Sequence, residues 1–377
     1  MNATRLLPVG AAWMILLTAL FGLCEHAVHA QDGPSLRSVD RPIRVAVDPT
    51  YQYYETEDDQ TLTELSTHLT ASVPIGQRFT VQAQAAYARM DAEQLVGGEQ
   101  TAQVRGVTDA TGRVMYAQPV GEGSLVMSAT VNVPTGKSKL DSDELQTTRL
   151  VSQNFYDFRV SSFSRGLTVS PRVTYAVPLN DRVAVGIGAG YQHQRGFQPR
   201  AGGEEYVPGD GLGVNGGLDY RLTDASALGV DVAFKRFAAD RRAGQDSFDA
   251  GSRISGTLRY IVRSGFTTVR AVARYANWEE SEFGYQSGDA EREQIIPSHA
   301  MLLGSYETRL TERIDLELRA SGHRYAETIQ SDQKLFGRAS VAPSFELTDQ
   351  IIVSPHGTAT YGAHLGGGGG LRLEGRF

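Results

Sequence analysis

The chain has 377 residues, 41 of them glycine, with 21% charged side chains and a formal net charge of −7. No basic stretch is present to neutralise phosphates, which excludes a nucleic-acid surface. A mean hydropathy of −0.28 suits a soluble protein, but a membrane barrel averages the same way because half of each strand faces a polar interior.

In chain order, Arg5 precedes an apolar run, Val9–Leu23, and then Val28-His29-Ala30, residues that a signal peptidase accepts. We expect residues 1–30 to be a leader cleaved before Gln31, residues 31–42 a periplasmic segment, and 43–377 a single unit. The apolar run is too short to span a bilayer comfortably, and no later segment approaches that length. Cys24, the one cysteine, lies inside the leader, where bulky Leu23 argues against lipid attachment. Without the leader, no thiol remains to form a disulfide.

From Ile43 the chain alternates. Ile43, Val45, Val47, Tyr51 and Tyr53 interleave with Arg44, Ala46, Asp48, Thr50 and Gln52, and Thr61–Val73 and Arg78–Met90 continue the pattern. A polar stretch runs to Asp109 and is followed by a strand ending near Ala117 and another over Ser124–Val133. Pro134–Gly166 is the longest connection, and within it Asp143–Phe155 has helical character. Strands over Leu167–Val177, Arg182–His193, Gly211–Arg221, Ala227–Phe237, Gly251–Val262 and Phe266–Asn277 come next. The charged loop Trp278–Pro297 leads to the clearest hairpin, in which Ile314, Leu316, Leu318 and Ala320 oppose Asp315, Glu317, Arg319 and Ser321. Lys334–Leu347, Gln350–Tyr361 and a terminal strand complete the chain. The turn Leu-Thr-Asp/Glu recurs at Leu222, Leu310 and Leu347.

Every second connection is long. About sixteen strands, within two, separated alternately by tight turns and long loops, describe an all-β fold: an antiparallel transmembrane barrel of the outer-membrane kind. A sandwich or propeller also alternates, but its strands average ~5–6 residues and need no such rhythm. Tyr51, Tyr53, Tyr175, Tyr220, Tyr260, Tyr275, Trp278 and Tyr325 fall near strand ends, where amphipathic rings are expected at lipid headgroups. Leu371, Leu373 and Phe377 resemble the C-terminal signal read by the barrel assembly machinery, with Gly375 departing from its usual bulk. The expected surroundings are therefore outer-membrane lipid and lipopolysaccharide.

With the apolar face toward lipid, the charged lumen candidates are Asp219, Arg221, Asp231, Lys235, Arg253, Arg259, Arg270, Arg274, Glu307, Asp315, Glu317, Arg319, Arg338 and Glu346. Such a lining either hydrates a passage or pairs across strands and closes it. Pro134-Thr135-Gly136-Lys137-Ser138 lacks the first glycine of a phosphate loop, Val131 standing there. Gly366–Gly370 reads as a flexible loop before the last strand. Glu55-Thr56-Glu57-Asp58-Asp59 and Asp141-Ser142-Asp143-Glu144 read as solvated loop charge, and they lack the calcium-loop pattern. We expect no cofactor or metal. Catalysis is not expected either: outer-membrane phospholipases place Ser two residues after His, whereas His193 precedes Gln194 and Arg195, and His68 and His356 have only Thr70 and Thr358 at that spacing.

Asn132-Val133-Pro134-Thr135-Gly136-Lys137 resembles a motif of bacterial outer-membrane proteins described as transporters of the phenol meta-degradation pathway. Gly190-Tyr191, Gly196-Phe197-Gln198-Pro199 and Tyr206-Val207-Pro208-Gly209-Asp210 are similar to its continuation. The resemblance implies a barrel that takes up small, often hydrophobic or aromatic compounds, and it transfers no binding residue. The expectation is a passive channel for small molecules. The alternatives are a sealed barrel with a structural or surface-interaction role and a lipid-acting enzyme.

Overall fold

A computed structural model describes residues 42–56, 60–93, 102–137, 139–152, 156, 158–160, 162–283, 291–328 and 331–377. The expected leader lies outside the described residues, as do 31–41 of the segment after it. The chain forms a closed antiparallel barrel. Its strands are β1 (Arg44–Glu55), β2 (Thr61–Ile75), β3 (Phe79–Glu93), β4 (Ala102–Val107 continued by Ala110–Val120), β5 (Gly123–Val133), β6 (Thr168–Pro178), β7 (Val183–Gln194) and β8 (Gly211–Arg221). They continue as β9 (Ser226–Phe237), β10 (Ser252–Ser264), β11 (Thr267–Trp278), β12 (His299–Thr311), β13 (Ile314–Tyr325), β14 (Lys334–Thr348), β15 (Ile351–Gly362) and β16 (Leu365–Arg376). The sheet holds 17 segments; the two pieces of β4 lie end to end against β3 and fill one position, which makes sixteen strands.

Each strand pairs with its neighbours in sequence, and β1 closes on β16 from Arg44↔Arg376 to Glu55↔Leu365. Closure leaves no free sheet edge along the barrel. Ile43 and Phe377 exchange backbone hydrogen bonds of 2.8 and 2.9 Å at the seam. Side chains sort by parity. Leu65, Leu69, Ile187, Val232, Leu258 and Leu302 are exposed on the outer face, while their sequence neighbours are covered on the inner one. Tight turns gather at one end, several taking a left-handed glycine such as Gly76 or Gly265. Long connections gather at the other end, where a second, small sheet is built from Tyr206–Val207, Asp240–Arg242, Gln245–Asp249, Ser281–Phe283 and Glu291–Glu293.

Four expectations need correction. The polar stretch before Asp109 is strand at both its described ends: β3 runs to Glu93 and β4 begins at Ala102, with Arg89 and Asp91 bridged at 3.0 Å. Gly366–Gly370 is strand rather than loop, paired on one side with His356–Thr360 and on the other with Thr50–Tyr54. The missing side chains serve packing, since a Cβ on Gly366 would lie 2.2 Å from the Tyr54 ring and one on Gly370 2.7 Å from the His356 ring. Tyr325 and Trp278 are not on the outer belt. Tyr325 is buried against His299, and Trp278 stacks on Phe237 at 5.5 Å with the Arg253 guanidinium 5.1 Å from its ring. The helix, α1, spans Ser142–Val151 and not Asp143–Phe155, because Asp141 and Glu144 form a reciprocal cap that fixes its start.

Candidate functional site

The site begins at a break in β4. Between the pairs Tyr87↔Val107 and Gln84↔Thr111, three residues of β4 face two of β3, a bulge that turns Asp109 out of the ladder. The Ala86 amide donates to Thr108 Oγ1 at 3.1 Å, and the Asp109 amide donates to the Phe163 carbonyl at 3.0 Å. The Asp109 carboxylate then accepts from the Gly136 amide (3.1 Å), the Arg165 amide (2.8 Å) and Asn132 Nδ2 (2.8 Å). Asn132 also donates to the Gly166 carbonyl at 2.9 Å. One carboxylate thus holds both ends of the long connection after β5. Thr135 adds a second tie, accepting from the Ala110 amide at 2.8 Å and donating to the Thr108 carbonyl at 3.1 Å. Position 136 must be glycine, because a Cβ there would sit 1.9 Å from the Phe163 carbonyl oxygen. The Asn132–Lys137 motif is therefore a loop clamp, and Lys137 is spent on an ion pair with Glu144.

Clamped in this way, the connection turns inward. Phe158, Val160 and Phe163 are buried, packed in one cluster with Tyr54, Leu62, Met90, Val104 and Phe336 of the barrel wall. Arg159 donates to Thr50 Oγ1 and, at 2.7 Å, to Asp48; its amide donates to Gln52 Oε1 at 3.1 Å. The Val160 amide donates to Glu64, itself fully buried, at 3.1 Å. Rings continue the contact around the wall: Phe158 meets Tyr54 at 4.9 Å, Tyr54 meets His364 at 5.3 Å, His364 meets Phe336 at 4.6 Å and Phe336 stacks on His323 at 4.8 Å. The sequence carried a signal for this insertion. Tyr53 and Tyr54, or Leu62 and Leu65, make both faces of one strand apolar, which a water-facing inner surface does not need.

The wall across β7 and β8 is the reverse. Its inner positions are Ala184, Gly186, Gly188, Gly190 and Gln192 on β7, then Gly211, Gly213, Asn215, Gly217 and Asp219 on β8. Long charged side chains from neighbouring strands lie across the glycines. A Cβ on Gly190 would meet Arg172 Cγ at 2.8 Å, one on Gly211 would meet Lys235 Cε at 2.8 Å, and one on Gly229 would meet Asp219 and Arg259 at 2.6 and 2.8 Å.

The fourteen charged candidates do not form one cluster. Arg259 joins two of them, donating to Asp231 at 2.9 Å and Asp219 at 3.3 Å. Arg270 pairs with Glu307, and Arg319 with Glu317. Arg221 sits at the tight-turn end, donating to the Asp181 carbonyl at 2.7 Å. Asp315 pairs with Arg309 at 3.0 Å, and Glu346 lies 3.9 Å from Arg376. Lys235 donates to Gln192 at 2.8 Å, and Arg253 covers Trp278. Arg274 faces the interior beside His299, and Arg338 donates to the Tyr156 carbonyl of the inserted loop at 3.3 Å. Asp48, Glu64, Arg113, Arg159, Arg172, Arg372 and Glu374 were missed, although strand parity identifies all but Arg159, which lies in a loop. Glu374 accepts from Arg372 and Arg376 at 3.0 and 3.1 Å. Leu371 and Leu373 are exposed on the outer face, and the Phe377 ring lies over Gly375, whose Cβ would meet it at 2.8 Å. That contact accounts for glycine at a position usually bulkier. Among the described residues no three metal-ligating side chains gather.

Above the barrel, Asp210 takes hydrogen bonds from Tyr191, from His193 and, at 3.1 Å, from the Gln194 amide. Burial pushes its carboxyl up, but these donors outweigh that and hold it below the usual carboxylate range. Asp240 behaves oppositely: burial raises its carboxyl although Tyr206 and the Gly209 amide donate to it.

No family model matches the chain, and no curated protein does. Among solved structures, it is similar to an outer membrane channel from Pseudomonas putida F1, 11% identical over 92% of this chain and 100% of that one with a TM-score of 0.43. It is also similar to the CymD monoaromatic hydrocarbon channel (12% identical, 90% and 89% covered, TM-score 0.47) and to CdiB from Acinetobacter baumannii (7% identical, 88% and 60% covered, TM-score 0.48). Likeness at this level assigns this chain neither a solute nor an activity.

Proposed function

We propose that the mature chain spans the bacterial outer membrane and passes small molecules passively through a lumen narrowed by the loop after β5. The observation that carries this is the sorting of one closed sheet into an apolar exterior and a charged interior, with the wall at β1–β4 covered by the loop and the wall at β7 and β8 lined by glycines. Burying a charged side chain at mid-bilayer costs roughly 2–4 kcal/mol for Arg or Lys, which explains why none replaces Leu258 or Val232 on the outer face. A barrel of about sixteen strands is wide enough to hold water beside an inserted segment. Removal of residues 1–30 as a leader and recognition of Leu371, Leu373 and Phe377 by the assembly machinery belong to the same reading, as does contact with lipopolysaccharide. The family resemblance implies small, often hydrophobic or aromatic solutes. Uptake of such solutes is part of the proposal.

A sealed barrel is the competing reading, favoured by the tightly buried core of the loop. Planar-bilayer recording on purified, folded protein separates the two. Stepwise single-channel currents support the channel, and a correctly inserted barrel that never conducts overturns it.

A further inference from the structure

We infer that the outer face of β10–β13 holds a lipopolysaccharide molecule, with acyl chain in a trough floored by small residues and phosphate on Arg324, an inference that rests on the outer-membrane reading above. A shallow trough of about 610 Å³ crosses these strands on the lipid side, a volume within the ~300–1,000 Å³ of small-ligand sites. Gly256, Ala273, Ala300 and Gly322, one from each of four consecutive strands, form its floor, and exposed Leu258 and Leu302 stand beside them. Elsewhere the outer face carries mainly Leu, Val, Ile and aromatic side chains.

Nothing within the chain accounts for glycine on this floor. Gly366 and Gly370 are glycine because Tyr54 and His356 fill the space of a Cβ, whereas a Cβ on Gly322 would meet nothing within 4 Å and one on Gly256 only the Asp231 carbonyl at 4.0 Å. Neither has a positive φ, so backbone conformation does not demand glycine either. Glycine weakens a strand, and lipid accepts any apolar side chain at these positions. The remaining reason for a strand glycine is the close approach of a ligand to the backbone.

The head of the trough identifies the ligand. Arg324 borders it, exposed and outward, one residue before the end of β13 at the long-loop side. Among the described strands the basic side chains at outward positions are Arg89, Arg105, Arg236 and Arg324, and all four lie at that end. Arg89 is bridged to Asp91, and Arg236 to Asp249 and Glu279. Arg324 makes no ion pair among the described residues and donates to Gln333 at 3.3 Å. Two strands along the same row, Asn277 accepts from Tyr275 at 3.3 Å and from Ser298 at 2.8 Å, which sets hydroxyl and amide groups beside the guanidinium. A guanidinium presents its donors to phosphate in a fork. Phosphate, sugar hydroxyls and acyl chain are the three parts of the glycolipid that faces the long-loop end of an outer-membrane barrel, and each meets its complement here.

The test is native mass spectrometry of the full mature protein, folded in detergent free of lipopolysaccharide and then given deep-rough lipopolysaccharide. Retention of one molecule per barrel is expected. Arg324→Gln, at an exposed side chain, should lower the retained fraction several-fold. Gly322→Leu should do the same by filling the trough, and it serves if Arg324→Gln folds poorly. Dephosphorylated lipopolysaccharide should bind the parent no better than the intact molecule binds Arg324→Gln. Equal retention by parent and variants overturns the site. Displacement by an equal concentration of phosphatidylglycerol overturns the choice of lipopolysaccharide, and a lipid-free pair of barrels means that the small residues serve a second copy instead. A barrel that conducts but retains no lipopolysaccharide overturns the site and leaves the channel reading standing, whereas a chain that stays dissolved without detergent overturns both.

Discussion

The wall formed by β1–β4 and the wall formed by β7 and β8 obey one alternation on their outer faces and differ entirely inside. Tyr54, Leu62, Ala88 and Met90 of the first are buried under a loop. Gly188, Gly190, Gly211 and Gly213 of the second carry nothing. Lipid imposes the same demand on both exteriors, so the outer residues cannot distinguish the walls. The interior is free of that demand, and there composition records whether protein or water faces the strand. Uptake of a loop on one side and loss of side chains on the other together set the width of the passage.

The contrast is most strongly disturbed at the clamp. Gly136→Val places a side chain where the Phe163 carbonyl stands, 1.9 Å from the ideal Cβ, and backbone on both sides leaves no room to yield. The loop should leave the wall, forfeiting the burial of Phe158 and Phe163 at ~1.5–3 kcal/mol each. Recordings should show a larger and noisier unitary conductance, with protease cleavage between Pro134 and Gly166. Unchanged conductance in a folded variant would mean that the loop does not narrow the passage.

Adding a leucine to each wall sharpens the comparison. Ala88→Leu enlarges a fully buried position and should cost ~1–3 kcal/mol by overpacking, read as a lower unfolding midpoint in detergent. Gly213→Leu meets no atom closer than 3.5 Å at its Cβ and projects into open lumen. It should leave stability nearly untouched and lower the unitary conductance. If Gly213→Leu destabilises as much as Ala88→Leu, the second wall is covered as well.

Much of this architecture was legible because lipid and water act on alternate residues of every strand. Ile314–Ser321 reveals its facing at a glance, and the alternation of short and long connections follows from strands that must cross and return. The glycine run at Gly366–Gly370 was misread because glycine usually marks a turn. Here it marks the absence of side chains opposite Tyr54 and His356, a reason that depends on partners more than three hundred residues away in the first case. The inserted loop was hidden for a related reason. Arg159, Phe158 and Phe163 have no periodicity of their own, and only their landing surface on β1–β4 gave them away, through apolar residues at both parities. The charged candidates were found by parity, but their partners were not, since Arg259 reaches Asp219 across two strands.

The smallest effect tests the ties at the mouth. Asp109 holds the covering loop from beneath a bulge, whereas Asp210 ties the connection between the two bare strands from a partly exposed position, receiving Tyr191, His193 and the Gln194 amide. Because those donors hold the Asp210 carboxyl below its ordinary 3.8, the folded form binds fewer protons than the open form near that pH. Its stabilising contribution is therefore complete above about pH 4 and is lost as pH falls through the lower folded value. Hydrogen exchange at Gln194, corrected for its intrinsic pH dependence, should show protection at pH 7 that declines below pH 4, while amides on β3 under the covering loop keep theirs. Asp210→Asn should lower protection at neutral pH and remove the pH dependence. If protection at Gln194 in the parent does not change with pH, the carboxylate is not what holds that connection down.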